Sequence, residues 1–126
     1  MKFDSNCKVL WKDRKRYCGL PWSFYRYYIV EKEGEWTKIF RHKGFFTSVI
    51  DETNVYRCID VTLHISFFDR IFGTGTIEIL SNDSSAPRFH FRHISNPYKV
   101  RDLLSSLIEL ERKKRGVGLT EFQLPN

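Results

Sequence analysis

His64, Ser66 and Asp69 hold the residue types of an activated hydroxyl nucleophile within one six-residue stretch. Such groups act only when they are assembled in space, and no nucleophile elbow surrounds Ser66. Asp60 and Asp69 read equally as a strand-edge and a turn carboxylate, with Asp69 beside Arg70 offering a turn or an ion pair. Enzyme activity is not expected. Four histidines, His42, His64, His90 and His93, raise the question of a metal. His90 and His93 have opposite parity on a strand, so only one of them can share a face with His64. Acidic or cysteine partners at ligand spacing are missing, so solvent-facing histidines and no metal are the expectation. Gly73-Thr74-Gly75 suggests a phosphate cradle, but it leads into a strand rather than a helix and no Lys follows. Glycine is expected there for a tight entry to the strand at positive φ. No cofactor is expected.

Binding chemistry is better represented. Between Lys8 and Tyr28 the basic residues Lys12, Arg14, Lys15 and Arg16 lie beside Trp11, Tyr17 and Trp22. Cations attract phosphates, and such rings stack on bases or sit at a lipid interface. A second basic group, Lys32, Lys38, Arg41, His42 and Lys43, lies on a hairpin. Against both stands a plainer account, in which the aromatics fill a core and the lysines solvate its rim.

These residues need elements to hold them. Short extended segments are expected at 8–13, 23–32, 36–42 and 45–51, with turns at Glu33-Gly34 and Lys43-Gly44 and a polar break at Glu52 to Asn54. From Asp60 the chain alternates, Ile59, Val61, Leu63 and Ile65 facing one way and Asp60, Thr62 and His64 the other. An aromatic connector, Ser66 to Phe72, precedes a strand from Thr76 to Leu80, and Arg88 to Ile94 alternates Phe89 and Phe91 with His90 and Arg92. A helix is expected over 95–115, capped by Ser95 or Asn96, with Pro97 in the first turn and Gly116 as its stop. Val100, Leu103, Leu104, Leu107 and Ile108 make one apolar face.

The chain has 126 residues and 41% hydrophobic content, enough for one core in a single domain over 1–116, with residues 117–126 as a flexible tail. Three cysteines, Cys7, Cys18 and Cys58, form no CxxC pair and read as reduced thiols. No signal peptide is evident, and the apolar stretch Leu20 to Val30 is too short to span a membrane and carries Arg26. A cytoplasmic location, with peripheral attachment to the inner membrane face as the alternative, is the expectation. The net charge is +6, and residues 1–30 carry seven Lys or Arg against two Asp.

The order of these segments resembles the bacterial pleckstrin-homology (PH) domains, a family formerly catalogued as a domain of unknown function. The resemblance covers residues 24–110 and rests on Asp60, Arg70, Phe72, Gly73, Gly75, Asn96 and Pro97. It implies a mainly β fold, a partly open barrel of two orthogonal antiparallel sheets capped by one C-terminal α-helix. Many relatives carry transmembrane helices, which this chain lacks, and phosphoinositide binding does not transfer to it. The resulting expectation is a non-enzymatic module that binds a protein partner or itself. Trp11, Lys12, Arg14, Lys15, Arg16, Trp22, Phe67 and Phe68 are its candidate binding residues, with Trp22, Phe67 and Phe68 as exposed anchors. Peripheral binding to anionic lipid through residues 8–28 is the alternative, and nucleic acid is a less favoured partner.

Overall fold

Alternation builds the first sheet. Strand β2 (Tyr25–Lys32) puts Tyr27 and Ile29 on one face and Tyr28 and Val30 on the other, and all four are buried. In the computed structural model, which describes residues 3, 5–16 and 23–123, β2 pairs with β1 (Cys7–Arg14) and with β3 (Trp36–Lys43). Strand β4 (Val49–Asn54) closes this four-stranded antiparallel sheet. A 3-10 turn, Val55–Arg57, leads to β5 (Cys58–His64) of a second, three-stranded antiparallel sheet with β6 (Thr74–Ser81) and β7 (Arg88–Ser95). Helix α1 (Phe67–Phe72) joins β5 to β6, and helix α2 (Pro97–Gln123) follows β7. The fold is mostly β, with two sheets that do not close fully and a C-terminal helix packed on them, as the resemblance implied.

The main core lies between the sheets and α2. Ile29 and Ile39 meet Ile77, Ile79, Phe91 and Ile94, and Val100, Leu104, Leu107 and Ile108 seal them from the helix side. The Phe91 ring stands 5.0 Å from both Trp11 and Tyr27. A second cluster occupies the outer face of the first sheet, where Phe3 packs over Tyr28 and Phe40 with ring centroids at 5.7 and 5.2 Å. That is why β2 is apolar on both sides.

Asp13 ties the sheets together. Its Oδ2 accepts from the Ser95 amide and hydroxyl, both at 3.0 Å. Its Oδ1 accepts from Arg16 Nη2 at 3.1 Å and from the Arg14 amide at 2.8 Å. Ser95 thus ends β7 and gives its hydroxyl to Asp13 instead of capping α2. Asn96, at φ +48°, turns the chain into the helix, and Pro97 takes the first helical position as expected.

Several expected boundaries move. The connector Ser66 to Phe72 is a helix for most of its length. The fourth strand begins at Val49 and not Phe45, because Gly44 adopts φ +118° and the chain spends Phe45 to Ser48 in the turn. It then runs through the expected polar break, since pairing with β3 satisfies its backbone and an edge strand tolerates polar side chains. Ile59 is exposed, out of step with Val61 and Leu63, because a bulge between Cys58 and Asp60 shifts the register. Helix α2 continues through Gly116 to Gln123. A glycine costs a helix only about 1 kcal/mol against alanine, and no proline follows until Pro125. The side chains beyond Lys114, those of Leu119, Phe122 and Leu124 in the expected tail included, lie outside the described residues.

Leu104 is fully buried at the centre of the helix–sheet contact. Leu104→Ala should therefore destabilise the fold by about 2–5 kcal/mol, read as a lower urea midpoint with an unchanged slope.

Candidate binding surfaces

A six-residue helix cannot hold itself together in water, so α1 must be fastened from outside. Asp69 does this. Its side chain is 4% exposed and accepts from three segments of chain. The Ser66 amide and hydroxyl donate to Oδ2 at 3.0 and 2.9 Å, and Thr74 donates to Oδ1 at 2.8 Å. His93 Nδ1 also meets Oδ1, at 2.9 Å. Ser66 Oγ in turn accepts from the Asp69 amide at 3.2 Å, completing a capping box, and Gly73 ends the helix in the left-handed region at φ +69°. Burial pushes the Asp69 carboxyl up, but the hydrogen bonds from Ser66, His93 and Thr74 more than offset it and hold it at about 2.

With Asp69 turned inward, everything apolar on α1 faces out. Phe67 and Phe68 are 72% and 67% exposed, and Ile71 and Phe72 extend the ridge. Of the turn or ion pair expected at Asp69-Arg70, the structure forms the turn, with Asp69 and Ser66 capping α1. Ser66, Asp69 and His64 do not assemble as a triad. Ser66 gives its hydroxyl hydrogen to the carboxylate, and His64 turns to Glu78 instead.

Glu78 lies between His64 Nε2 at 3.6 Å and His90 Nε2 at 3.4 Å, with Arg88 also at 3.4 Å. His90 is the histidine that shares a face with His64, and His93 belongs to Asp69. Burial and the nearby Arg92 hold the His90 imidazole below its usual pKa despite Glu78. Among the described residues no three His, Cys, Asp or Glu side chains converge on a point that could hold a metal. Cys7 and Cys58 are free thiols, burial pushing Cys58 up to about 12, while Cys18 lies outside the described residues.

The basic segment is divided. Trp11 is half-buried: it packs on the core against Phe91 and also lines the cleft that Lys12 and Arg16 share. A bulge between Val9 and Trp11 turns Leu10 and Trp11 toward the interior together. Lys12 is exposed, whereas Arg16 pairs with Asp13, and both line an open cleft of about 460 Å³ with Lys99 of α2. Lys15 stands 5.3 Å over the Tyr25 ring, Arg14 is half-buried beside Arg26, and Trp22 lies outside the described residues.

The hairpin cations part in the same way. Lys32 pairs with Glu35 and Lys38 with Glu52 on the outer face. Arg41 points inward, its guanidinium 3.9 Å over the Phe89 ring and its Nη2 donating to Thr53. Burial lowers the Arg41 pKa, with Asp51 offsetting part of this, and Nη1 is buried with no hydrogen-bond partner among the described residues. A cleft of about 290 Å³ opens there, with Lys43 and Arg92 on its walls.

Sequence reasoning picked out Phe67, Phe68 and the basic hairpin, but it missed Phe45 and Phe46. Phe46 is 96% exposed at the tip of the β3–β4 turn. The available signal was Gly44, a turn residue followed at once by two large apolar side chains.

A family model described as Bacterial PH domain matches residues 11–108. Comparisons with curated proteins and with solved structures found no match.

The depressed carboxyl of Asp69 gives stability that is complete above the ordinary carboxylate range near 3.8 and is lost as pH falls through about 2. Urea midpoints should therefore drop between pH 4 and pH 2. Asp69→Asn should cost about 2–4 kcal/mol at pH 7 and flatten that acid slope. An unchanged slope in the variant would show that Asp69 is not its source.

Proposed function

The chain belongs to the bacterial PH domain family, and from that premise we propose that it is a scaffolding module that joins a protein partner, or a second copy of itself, through the α1 ridge. PH domains are in general binding modules without catalytic activity. The observation that carries the reading is the contrast at α1, where a buried carboxylate with hydrogen bonds from three chain segments fixes a helix whose outward side chains are Phe67, Phe68, Ile71 and Phe72.

Exposed apolar surface is ordinary when scattered, but four large side chains on six residues form a patch. Covering one such side chain stabilises a complex by about 1.5–3 kcal/mol, and interfaces draw most of their energy from a few anchors of this kind. Rigidity adds to this, because a ridge already held by Asp69 loses little freedom on docking. No helix among the described residues is long and apolar enough to cross a membrane.

Light scattering behind size exclusion, at two protein and two salt concentrations, tests self-association, and a pull-down tests a partner. Phe68→Ala should leave the melting temperature within a degree or two and weaken association at least about tenfold. A wild-type monomer at every concentration, together with identical pull-downs from wild type and variant, would overturn the reading.

A further inference from the structure

The β3–β4 turn has a composition unlike the α1 ridge. Phe24, Phe45 and Phe46 pack on one another with ring centroids at 4.7 and 4.6 Å, yet Phe45 and Phe46 remain 65% and 96% exposed. Tyr25 and Val49 continue the apolar surface around an open cleft of about 490 Å³. Gly44 shapes the turn: at φ +118° a Cβ would collide with the Thr47 carbonyl oxygen. A knob of three phenylalanines therefore projects beyond the end of the first sheet.

What surrounds the knob is cationic. The strand register places Tyr25, Lys43 and Val49 in the last row of the sheet, then Arg14, Arg26, His42 and Ile50 in the next. The first carboxylates, Asp13 and Asp51, come one row deeper, beside Arg41. Asp13 is already engaged by Ser95 and Arg16. Arg41 offers a buried Nη1 without a partner among the described residues, in the cleft that Lys43 and Tyr25 also line. Rows are about 3.4 Å apart, so the cations sit within one or two rows of the base of the knob.

We propose that this turn is a membrane-insertion element. Phe45 and Phe46, backed by Phe24, enter the interfacial layer of a bilayer, and Lys43, Arg26 and Arg14 meet the phosphates of anionic lipids around them. Apolar side chains of an interfacial element sink about 5–10 Å past the headgroup boundary, and that depth brings cations set one or two rows back to the level of the phosphates. A protein interface is depleted of charge at its core and polar around its rim, whereas this surface is aromatic at the tip and carries cations and no carboxylate in the two sheet rows behind it.

Pelleting the full chain with phosphatidylcholine vesicles, with and without phosphatidylglycerol, tests the proposal. Wild type should pellet at least tenfold more strongly with the anionic vesicles, and high salt should reduce this. F45S/F46S should lose at least tenfold in partitioning with an unchanged melting temperature. K43E, which leaves the three rings of the knob in place, should lose about fivefold or more per charge removed and so reads the site even if the double variant folds poorly. Phe68→Ala should bind vesicles as wild type does, which separates this surface from the α1 ridge. Equal recovery with neutral and anionic vesicles, or undiminished binding by both F45S/F46S and K43E, would overturn the proposal. So would a wild type that ignores vesicles and forms a dimer that F45S/F46S abolishes, since the knob would then serve a second copy.

Discussion

A carboxylate taken out of water keeps its charge only if the protein replaces the hydrogen bonds that water gave it. At Asp69 the replacements come from Ser66, Thr74 and His93, and each of them fixes something else. Ser66 starts α1, Thr74 starts β6, and His93 sits near the end of β7. One acid therefore sets the orientation of the short helix against two strands. His93 holds φ +50° within a strand, a conformation uncommon outside glycine although histidine adopts it more readily than most residues, and its bond to Asp69 helps to hold it there.

This arrangement reverses the usual amphipathic helix. In α2 the apolar stripe Val100, Leu104, Leu107 and Ile108 turns in, with Glu111 at its end the one buried acid of that helix among the described residues. In α1 the acid is inside and the phenylalanines are outside. A helix of the first kind is held by the hydrophobic effect, whereas the second is held against it, by polar bonds in a site water cannot reach. The α1 ridge and the β3–β4 knob share this property of apolar surface presented on a frame that does not depend on it for folding.

That reversal also explains what could be read in advance. The α2 stripe was legible because its period matches a helix buried on one side, and Phe89 and Phe91 because strict alternation marks a strand with one face in the core. Helix α1 was not, since six residues are too few to show a helical period, although Phe67 and Phe68 were expected on the surface. The capping signal Ser66-x-x-Asp69 was present all along and was obscured by the aromatic run between its members. A bulge defeated parity at Ile59, which the interior released, and another turns Trp11 far enough inward to pack on Phe91. The second apolar face of the first sheet depends on Phe3 crossing it, a contact with Tyr28 and Phe40 that no local pattern announces.

The two structural carboxylates differ in what they require of an unfolded chain. Everything that binds Asp69 lies between residues 66 and 93, the longest span being the 24 residues to His93. Ser95 is 82 residues from Asp13. Loop entropy grows only with the logarithm of length, so the longer closure costs about 1 kcal/mol more. Sequence of events matters more than that difference. The knot at Asp69 can be tied while the first sheet is still unformed, whereas the clasp at Asp13 must wait until the first strand meets the end of the last. The second sheet with α1, and the first sheet with its consecutive strands, are each built from contacts between neighbours in sequence, and the clasp at Asp13 is the long-range bond that joins them.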